Sequence, residues 1–281
     1  MKVEPSTGEE EEEEAKRARR KRNAEKMVTK AGGGSRRTRR RVQAPSDAIQ
    51  RLYMACKSVF KGPGTVPEPA DVEMLQLLLD KMRPEDVGLR TDIPFFNSKT
   101  SSERSPRIAC AKIEECENFS MCIFFLPPSA VIPLHNHPGM TVFSKLLLGS
   151  MHIKSYDWLD PVTSNVSPAL ANLRAAKLLV DSDFTAPCNT SILYPTTGGN
   201  IHTFRAITPC VVLDVLGPPY SMKDDRDITY YRDHPYSEYA DGAAEHNGEK
   251  DRLLGWLEEI ELSEESKMAM VEYKGPSVTN G

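Results

Sequence analysis

Short apolar runs of about 5–8 residues recur after Asp86, and Gly, Pro, Asn and Ser separate them. Runs of this length between turn-forming residues are typical of β-strands, because helices of globular domains need longer periodic segments. Their even spacing predicts a mainly β fold, a sandwich or barrel of the jelly-roll type. The candidate strands are residues 108–116, 120–126, 141–148, 151–158, 177–180, 190–194, 201–205 and 211–216.

Helical periodicity precedes these runs. Apolar residues from Ile49 to Phe60 recur at spacings of three and four, and Ser46 is a suitable N-cap for that helix. A loop rich in Pro and Gly separates it from a second predicted helix at 70–82. Arg83 should end the second helix, because a residue that precedes a proline disfavours the α conformation.

The C-terminal part of the chain is less regular. Residues 224–250 are polar and predict a loop. The stretch "DRLLGWLEEIEL" is compatible with a helix or a strand, and "MAMVEYKG" predicts a last strand. We therefore expect a domain at 44–276 whose first part, 44–86, is helical, followed by a flexible C-terminus at 277–281.

The N-terminal residues 1–43 have a different composition. They hold 14 Lys/Arg and 8 Glu, a charge of +6, whereas the rest of the chain has a charge of −10. With almost no apolar residues the segment cannot offset its ordering entropy, so we expect a disordered acidic and basic tail. The clusters "KRARRKR" and "RRTRRR" predict a bipartite nuclear localisation signal. A solvated tail or a non-specific nucleic-acid contact is the alternative.

Other features limit the class of protein. No DNA-recognition pattern follows the tail, so sequence-specific nucleic-acid binding is not expected. No apolar run approaches 18 residues and the first residues carry no apolar signal core, so neither a membrane span nor secretion is expected. The six cysteines form no CxxC pair and indicate free thiols. We expect a protein of the nucleus and cytoplasm, and a monomer by default.

Two histidines stand in one of the apolar stretches, "AVIPLHNHPGMTVFSKLLLG". In an extended segment His135 and His137 face the same side, and two neutral imidazoles aimed into a barrel can bind a transition metal. The pair could instead be partly exposed or hydrogen-bonded without a metal. His202, in "YPTTGGNIHTF", is a third candidate, since 65 residues after His137 leave room for several strands that bring the two together.

The other histidines are weaker candidates. His152 stands alone on a predicted strand and reads as a satisfied or surface residue. His234 and His246 lie in the polar segment and are expected to face solvent.

This arrangement resembles the cupin family, whose fold is a double-stranded β-helix. Its first motif carries HxH and, four residues later, a Glu ligand; its second carries Pro and Gly before a last His. The position four after His137 is Thr141, so the carboxylate is missing, whereas the second motif is present as Pro195, Gly199 and His202. The resemblance therefore implies a site of three neutral histidines.

A site of this kind has a chemical consequence. Three histidines leave the charge of Fe²⁺ uncompensated and three adjacent positions open, so the centre should accept an anionic, bidentate thiolate with a neighbouring amine, together with O₂. Zinc also binds three histidines, but oxidation of a thiolate by O₂ needs a redox-active metal.

The stretches "PLHNHPGMTVFSKLLLGSMHIKSYDW", "LYPTTGGNIHTFRA" and "VLDVLGPPYS" are similar to the plant cysteine oxidases, thiol dioxygenases related to animal cysteamine (2-aminoethanethiol) dioxygenase. The resemblance covers roughly residues 46–275. It implies a mononuclear Fe²⁺ site and oxidation of a protein's N-terminal cysteine to the sulfinic acid, with both atoms from O₂. The expected targets are group VII ethylene-response transcription factors, which arginylation and the proteasome then remove, so that the enzyme senses oxygen in hypoxia.

The same resemblance assigns residues. His135, His137 and His202 match the metal ligands, and Asp214 and Tyr220 match residues that flank the iron pocket. Asp214 lies in the apolar stretch "CVVLDVLG", where an unpaired acid is costly to bury. It could hold the substrate amine or make a structural hydrogen bond, and Tyr220 could equally be a packing residue.

One position departs from the family, and two other functions stay open. Ile228 stands where some relatives have a cysteine, so no role of a thiol transfers to that position. The chain could be a dioxygenase of small thiols such as cysteamine or free cysteine. It could also be a non-catalytic metal-binding cupin tethered by its basic tail.

Overall fold

A computed structural model of the chain describes residues 47–90, 93, 96, 107–159, 172–236, 253–263 and 267–280. These residues belong to one compact unit, Pro45–Gly281. The predicted tail, 1–43, with its nuclear localisation signal, lies outside the described residues. The predicted domain boundaries therefore stay predictions.

Two α-helices precede the strands, as the periodicity predicts: α1 (Asp47–Val59) and α2 (Pro69–Asp80). Pro69 suits the first turn of α2 because the N–H that it lacks would have no partner inside the helix. Leu52 of α1 and Leu75 of α2 are fully buried. Burying each of these side chains contributes roughly 1.5–3 kcal/mol.

All eight candidate strands are present, the predicted last strand is also present at Ala269–Val271, and one strand, β6, is 13 residues long. The described residues contain twelve strands in all: β1 (Ala109–Glu115), β2 (Ser120–Leu126), β3 (Val131–His135), β4 (Thr141–Leu148), β5 (Ser150–Trp158), β6 (Leu173–Thr185), β7 (Ser191–Leu193), β8 (Ile201–Ala206), β9 (Cys210–Gly217), β10 (Tyr230–Pro235), β11 (Leu254–Ile260) and β12 (Ala269–Val271).

The strands form two six-stranded sheets. One has the order β12-β1-β2-β9-β4-β7, and the other has the order β10-β11-β6-β5-β8-β3. The second sheet closes on itself because β10 also pairs with β3, through Tyr230 and His135. This mainly β barrel confirms the predicted jelly-roll, double-stranded β-helix fold.

The first sheet lies between the helices and the interior. Every residue of β9 is buried, yet alternate residues face opposite ways. Val211, Leu213 and Val215 pack in the same apolar cluster as residues of α1 and α2. Val212 packs in the interior cluster and Asp214 lines an interior cavity. The alternation along β9 therefore places an acid inside the barrel.

Two C-terminal segments differ from, or refine, the sequence-based expectation. The predicted loop at 224–250 is wrong for Tyr230–Pro235, which forms β10. Its polar sequence gives no local strand signal, and pairing with β11 along the whole strand supplies the stabilisation. The ambiguous stretch is a strand, β11, because it pairs on both sides and buries Trp256 and Leu257.

The end of the chain makes contacts with α1, and the flexible C-terminus at 277–281 stays a prediction. Main-chain atoms of Thr279 make two hydrogen bonds with the Gln50 amide of α1, at 2.8 and 2.9 Å. The side chains of Tyr53 and Lys57 donate hydrogen bonds to Asn280. Val278 also packs against the apolar cluster that includes α1 and α2, so polar and apolar contacts together attach this segment.

In the part of the chain that the structure describes, the helices are too short or too polar to cross a membrane.

Candidate metal centre

The three predicted histidines meet inside the barrel. The pairing of β3 with β8 places His135 opposite His202, and His137 follows two residues later. Their ring centroids are 4.7–4.9 Å apart. One ring nitrogen of each lies within 4.8 Å of those of the other two, and all three residues are buried. The side chains are thus close enough to converge on one ion.

Main-chain carbonyls orient two of the rings. Nδ1 of His135 lies 2.8 Å from the Pro133 carbonyl, and Nδ1 of His137 lies 2.8 Å from the Asn200 carbonyl. A carbonyl oxygen accepts, so Nδ1 carries the proton in both rings and Nε2 keeps its lone pair. This is the tautomer that a metal-binding imidazole needs when Nε2 is the ligand atom.

Burial keeps the rings neutral. Desolvation lowers the pKa of His135 to about 4, against the raising effect of its main-chain hydrogen bonds. Desolvation, followed by repulsion from the neighbouring rings, lowers the pKa of His137 and of His202 well below 6.5. At neutral pH the site offers three uncharged nitrogen donors, a set that fits a divalent transition metal.

The histidines line a cavity of about 590 Å³. Much of its wall is apolar, with residues such as Phe124, Ile132, Phe204, Leu216 and Met268. Polar and ionisable side chains also line it: Asp214, Asp227, Lys267, Tyr220 and Tyr230. The cavity can therefore hold a ligand larger than a single amino acid, with charged groups at fixed points.

Asp214 is the buried acid of this cavity. It is 6% exposed, and its Oδ1 has no hydrogen-bond partner among the described residues. Desolvation raises the pKa of Asp214 to about 7, and a hydrogen bond with Ser144 opposes the rise. A structural hydrogen bond was one role that the sequence left open for Asp214, and the bond with Ser144 is of that kind. It leaves Oδ1 without a donor, and a buried oxygen without a donor costs free energy.

Tyr220 lies in the cavity wall beside the histidines. The centroid of its ring is 5.7 Å from that of the His137 ring, and its hydroxyl donates to the Asn136 carbonyl at 2.8 Å. Burial raises the pKa of Tyr220 well above 10, so it remains a donor at neutral pH. The residue thus packs against the site and also anchors the chain between His135 and His137.

Thr141 does not occupy the place of a ligand. It does not line either cavity next to the histidines, and Phe143, two residues further on, packs toward the helices. The inward residue is Val142, which lines a cavity of about 60 Å³ together with His202. The expectation that Thr141 stands at the ligand position is wrong, because strand alternation turns its buried side chain toward the helices. The apolar Val142 also supplies no ligand.

The other residues singled out in the sequence lie outside the centre or on its rim. His152 is held between Asp181 and Asp183, at 2.7 Å from each. His234 is not solvent-facing as expected; it is 17% exposed and contacts Glu258 at 3.0 Å. His246 lies outside the described residues. Ile228 lines the cavity, and all six cysteines are free thiols.

The turn before β8 contains residues that motif spacing does not reveal. Gly199 has φ +84°, and a Cβ atom there would lie 2.6 Å from Ser155 Oγ. Both the backbone conformation and the lack of space therefore favour glycine at this position of the second motif. Asn200, the next residue, contacts His137, and Asp157 accepts hydrogen bonds from the turn. The only sequence signal was the "GGN" that precedes "IHT".

Fold and site together define a jelly-roll barrel with a candidate metal centre of three neutral histidines. The chain belongs to the PCO_ADO family, whose profile matches residues 78–278. It is 50% identical over 233 residues to plant cysteine oxidase 2 of Arabidopsis thaliana, which covers 82% of this chain and 83% of that protein. It is 31% identical over 206 residues to 2-aminoethanethiol dioxygenase of Mus musculus, over 66% of this chain and 78% of that protein.

Among solved structures, an RmlC-like cupin protein from Desulfovibrio desulfuricans is 20% identical and has a TM-score of 0.28, covering 43% of this chain and 96% of that one. The family membership confirms the resemblance to plant cysteine oxidases. It also confirms the expected class of enzyme, an oxidoreductase of the cysteine dioxygenase type that incorporates O₂.

Proposed function

We propose that the chain oxidises the N-terminal cysteine of proteins to cysteine sulfinic acid with O₂, using Fe²⁺ held by His135, His137 and His202. The observation that carries this proposal is the convergence of three neutral histidines with an unsatisfied buried acid, Asp214, in one large cavity. Group VII ethylene-response transcription factors are the proposed targets. Their removal through the arginine N-degron pathway would make the enzyme an oxygen sensor.

The donor set supports iron bound to a thiolate. Three imidazoles carry no charge, and the described residues place no Asp, Glu or Cys beside them as a further ligand. The positive charge of a bound Fe²⁺ would therefore favour an anionic substrate group. When bound, the ion would supply the redox chemistry that allows O₂ to oxidise sulfur past the sulfenic level to the sulfinic acid.

Asp214 supports recognition of a free amine. Its Oδ1 lacks a donor, and the α-ammonium of an N-terminal residue is a donor of the opposite charge. An ammonium beside the carboxylate would lower the pKa of Asp214 from about 7 and keep it ionised. The buried acid would thus orient the amine while the thiolate is held near the three histidines.

The size of the cavity favours a protein over a small thiol. A volume of about 590 Å³ lies in the range of pockets that enclose drug-sized ligands. Cysteamine would leave most of this space empty, whereas residues that follow an N-terminal cysteine would contact the apolar wall. We therefore place oxidation of cysteamine or free cysteine second, as the activity that the small-thiol relatives suggest.

The test is oxidation of defined thiols by enzyme loaded with Fe²⁺ without air. On exposure to O₂, a Cys-initiated peptide should gain about 32 Da on its first residue, because a sulfinic acid adds two oxygen atoms to the thiol. The same peptide with an acetylated amine should react far more slowly. Unchanged peptide with confirmed iron loading would contradict the proposal. Faster turnover of cysteamine than of the peptide would indicate that small thiols are the substrates.

Two controls separate the remaining alternatives. His202→Ala should abolish both iron binding and the mass gain, and retained activity would refute the ligand assignment. A metal-loaded wild type that consumes no O₂ with any thiol would instead indicate a non-catalytic cupin.

We also propose that the enzyme acts as a monomer in nucleus and cytoplasm. The two basic clusters at 16–22 and 36–41 support nuclear import. Replacing the Arg residues of 36–41 with Gln in a fluorescent fusion should shift the protein to the cytoplasm. Unchanged nuclear fluorescence would remove the support for this signal.

A further inference from the structure

The two histidines of the first motif are held by different means. His135 is the last residue of β3, and its main chain is fixed by pairing with His202 and Tyr230. His137 lies beyond the end of β3, outside the described strands. Sheet pairing therefore does not explain why its ring is where it is, and another group must hold this part of the chain.

Asn200 takes the place of a paired strand for His137. Its Oδ1 accepts from the His137 main-chain N–H at 3.0 Å, and its Nδ2 donates to the His137 carbonyl at 2.9 Å. Nδ2 also donates to the Tyr194 carbonyl at 2.7 Å. Because an N–H lies on one side and two carbonyls on the other, only one orientation of the amide satisfies all three bonds.

The same residue also sets the ring of His137. The Asn200 main-chain carbonyl accepts from Nδ1, at 2.8 Å. The proton of the imidazole is thereby held on Nδ1, and Nε2 is left with its lone pair available to a metal. Main chain and ring of His137 are thus both bound to a single residue.

Asn200 is itself fixed. Oδ1 of Asp157 on β5 accepts from the main-chain N–H of Gly199 and of Asn200, each at 2.9 Å. Asn200 stands two residues before His202 and is 8% exposed, so water competes little for its hydrogen bonds. Any displacement of Asn200 would therefore move two of the three histidines relative to each other.

We propose that Asn200 is a positioning residue that couples the two histidine motifs and presents Nε2 of His137 to the metal. This inference rests on the metal-binding half of the proposed function and is independent of the substrate. Partners that orient a liganding histidine typically contribute 10- to 100-fold to metal affinity. We expect a loss of about that size in Asn200→Ala and in Asn200→Asp.

The two variants differ in an informative way. Asn200→Ala removes all three side-chain bonds. Asn200→Asp keeps the shape and the acceptor for the His137 N–H, but it places a second oxygen against two carbonyl oxygens. Thr203→Val is the matched control, because Thr203 Oγ1 also links β8 to the first motif strand, through the Ile132 carbonyl at 2.8 Å, without touching a histidine.

The measurement is binding of Co²⁺ to the metal-free full chain, by competition with a chromophoric chelator and by the visible absorption of the bound ion. It is made well below the unfolding temperature of every variant. Both Asn200 variants should bind Co²⁺ more weakly and with altered absorption bands, whereas Thr203→Val should keep the dissociation constant and spectrum of the wild type. Wild-type affinity and spectrum in the Asn200 variants would overturn the inference.

A second measurement needs no variant. In the metal-free wild type, long-range ¹H–¹⁵N correlation spectra should show His137 with its proton on Nδ1 and with slow exchange of that proton. A proton on Nε2 would overturn the inference even if the Asn200 variants fail to fold. A wild type that binds no Co²⁺ would instead contradict the proposed metal site, so the two failures are distinguishable.

Discussion

Asp214→Asn should stabilise the metal-free protein in a pH-dependent way. The wild-type carboxyl group is buried and its pKa is raised from 3.8 to about 7. Between about pH 4 and pH 7, Asp214 of the folded protein therefore keeps a proton that the unfolded chain has already released. The free energy of unfolding of the wild type must fall, on account of this residue, as pH rises from about 4 through about 7.

The magnitude follows from the shift. A difference of about three pKa units corresponds to about 4 kcal/mol when the group is fully ionised. Between pH 5 and pH 8, where folded protein can be compared, the same relation gives a change of about 2–3 kcal/mol. An asparagine does not ionise, so this part of the pH dependence should vanish. The new amide can itself cost about 1–3 kcal/mol, but that offset does not depend on pH.

The assay is urea unfolding of the wild type and Asp214→Asn with a chelator present, at several pH values from 5 to 8. From pH 5 to pH 8 the free energy of unfolding of Asp214→Asn, relative to that of the wild type, should rise by about 2–3 kcal/mol. In a separate assay with Fe²⁺-loaded protein, the variant should lose turnover of a Cys-initiated peptide. Asp227→Asn is the control, since that acid lines the same cavity with an exposed side chain. A constant difference between wild type and Asp214→Asn across the range would refute the reasoning.

Two further changes test how the site is supported. Lys145→Met should lower the free energy of unfolding by about 1–3 kcal/mol, because it removes the buried ammonium that donates to the Cys188 carbonyl and lies 3.7 Å from the Asp80 carboxylate. The exposed pair of Lys112 and Glu115 should contribute less than about 1 kcal/mol in the same urea assay, and equal losses would contradict this. Gly199→Ala should weaken Co²⁺ binding, since its Cβ would meet Ser155. Gly64→Ala has a similar positive φ but open space around it and should leave binding unchanged; equal binding by both variants would show that the turn tolerates the methyl group.

Much of the fold was predictable because strand signals are local. Short apolar runs bounded by turn residues indicated eight of the twelve strands that the structure describes, and the stretch "MAMVEYKG" indicated a ninth, β12. The exceptions show the limit of local reasoning. Tyr230–Pro235 is polar and becomes a strand only through pairing with β11 and, at Tyr230, with β3. Such pairing joins distant parts of the chain, so no window of sequence contains the signal.

The candidate site was likewise predictable only in part. The types and spacing of His135, His137 and His202 indicated a metal centre, because few other arrangements need three histidines in two short motifs. Whether the three rings meet depends on the register of β3 against β8, which places His135 opposite His202. The sequence therefore named the candidate ligands, and the tertiary structure decided that they converge.

By itself the sequence determined which chemical groups are present: short apolar strands, three candidate ligands and one acid in an apolar run. Only the tertiary structure decided which way these groups face and what they touch. Strand alternation turned Thr141 toward the helices and Val142 toward the interior, and left Asp214 in the cavity with one oxygen unpaired. It also brought Asn200 against His137, across 63 residues of chain. The physical reason is that the direction of a side chain and its hydrogen-bond partners are set by pairing between distant segments, which residue type and local spacing do not record.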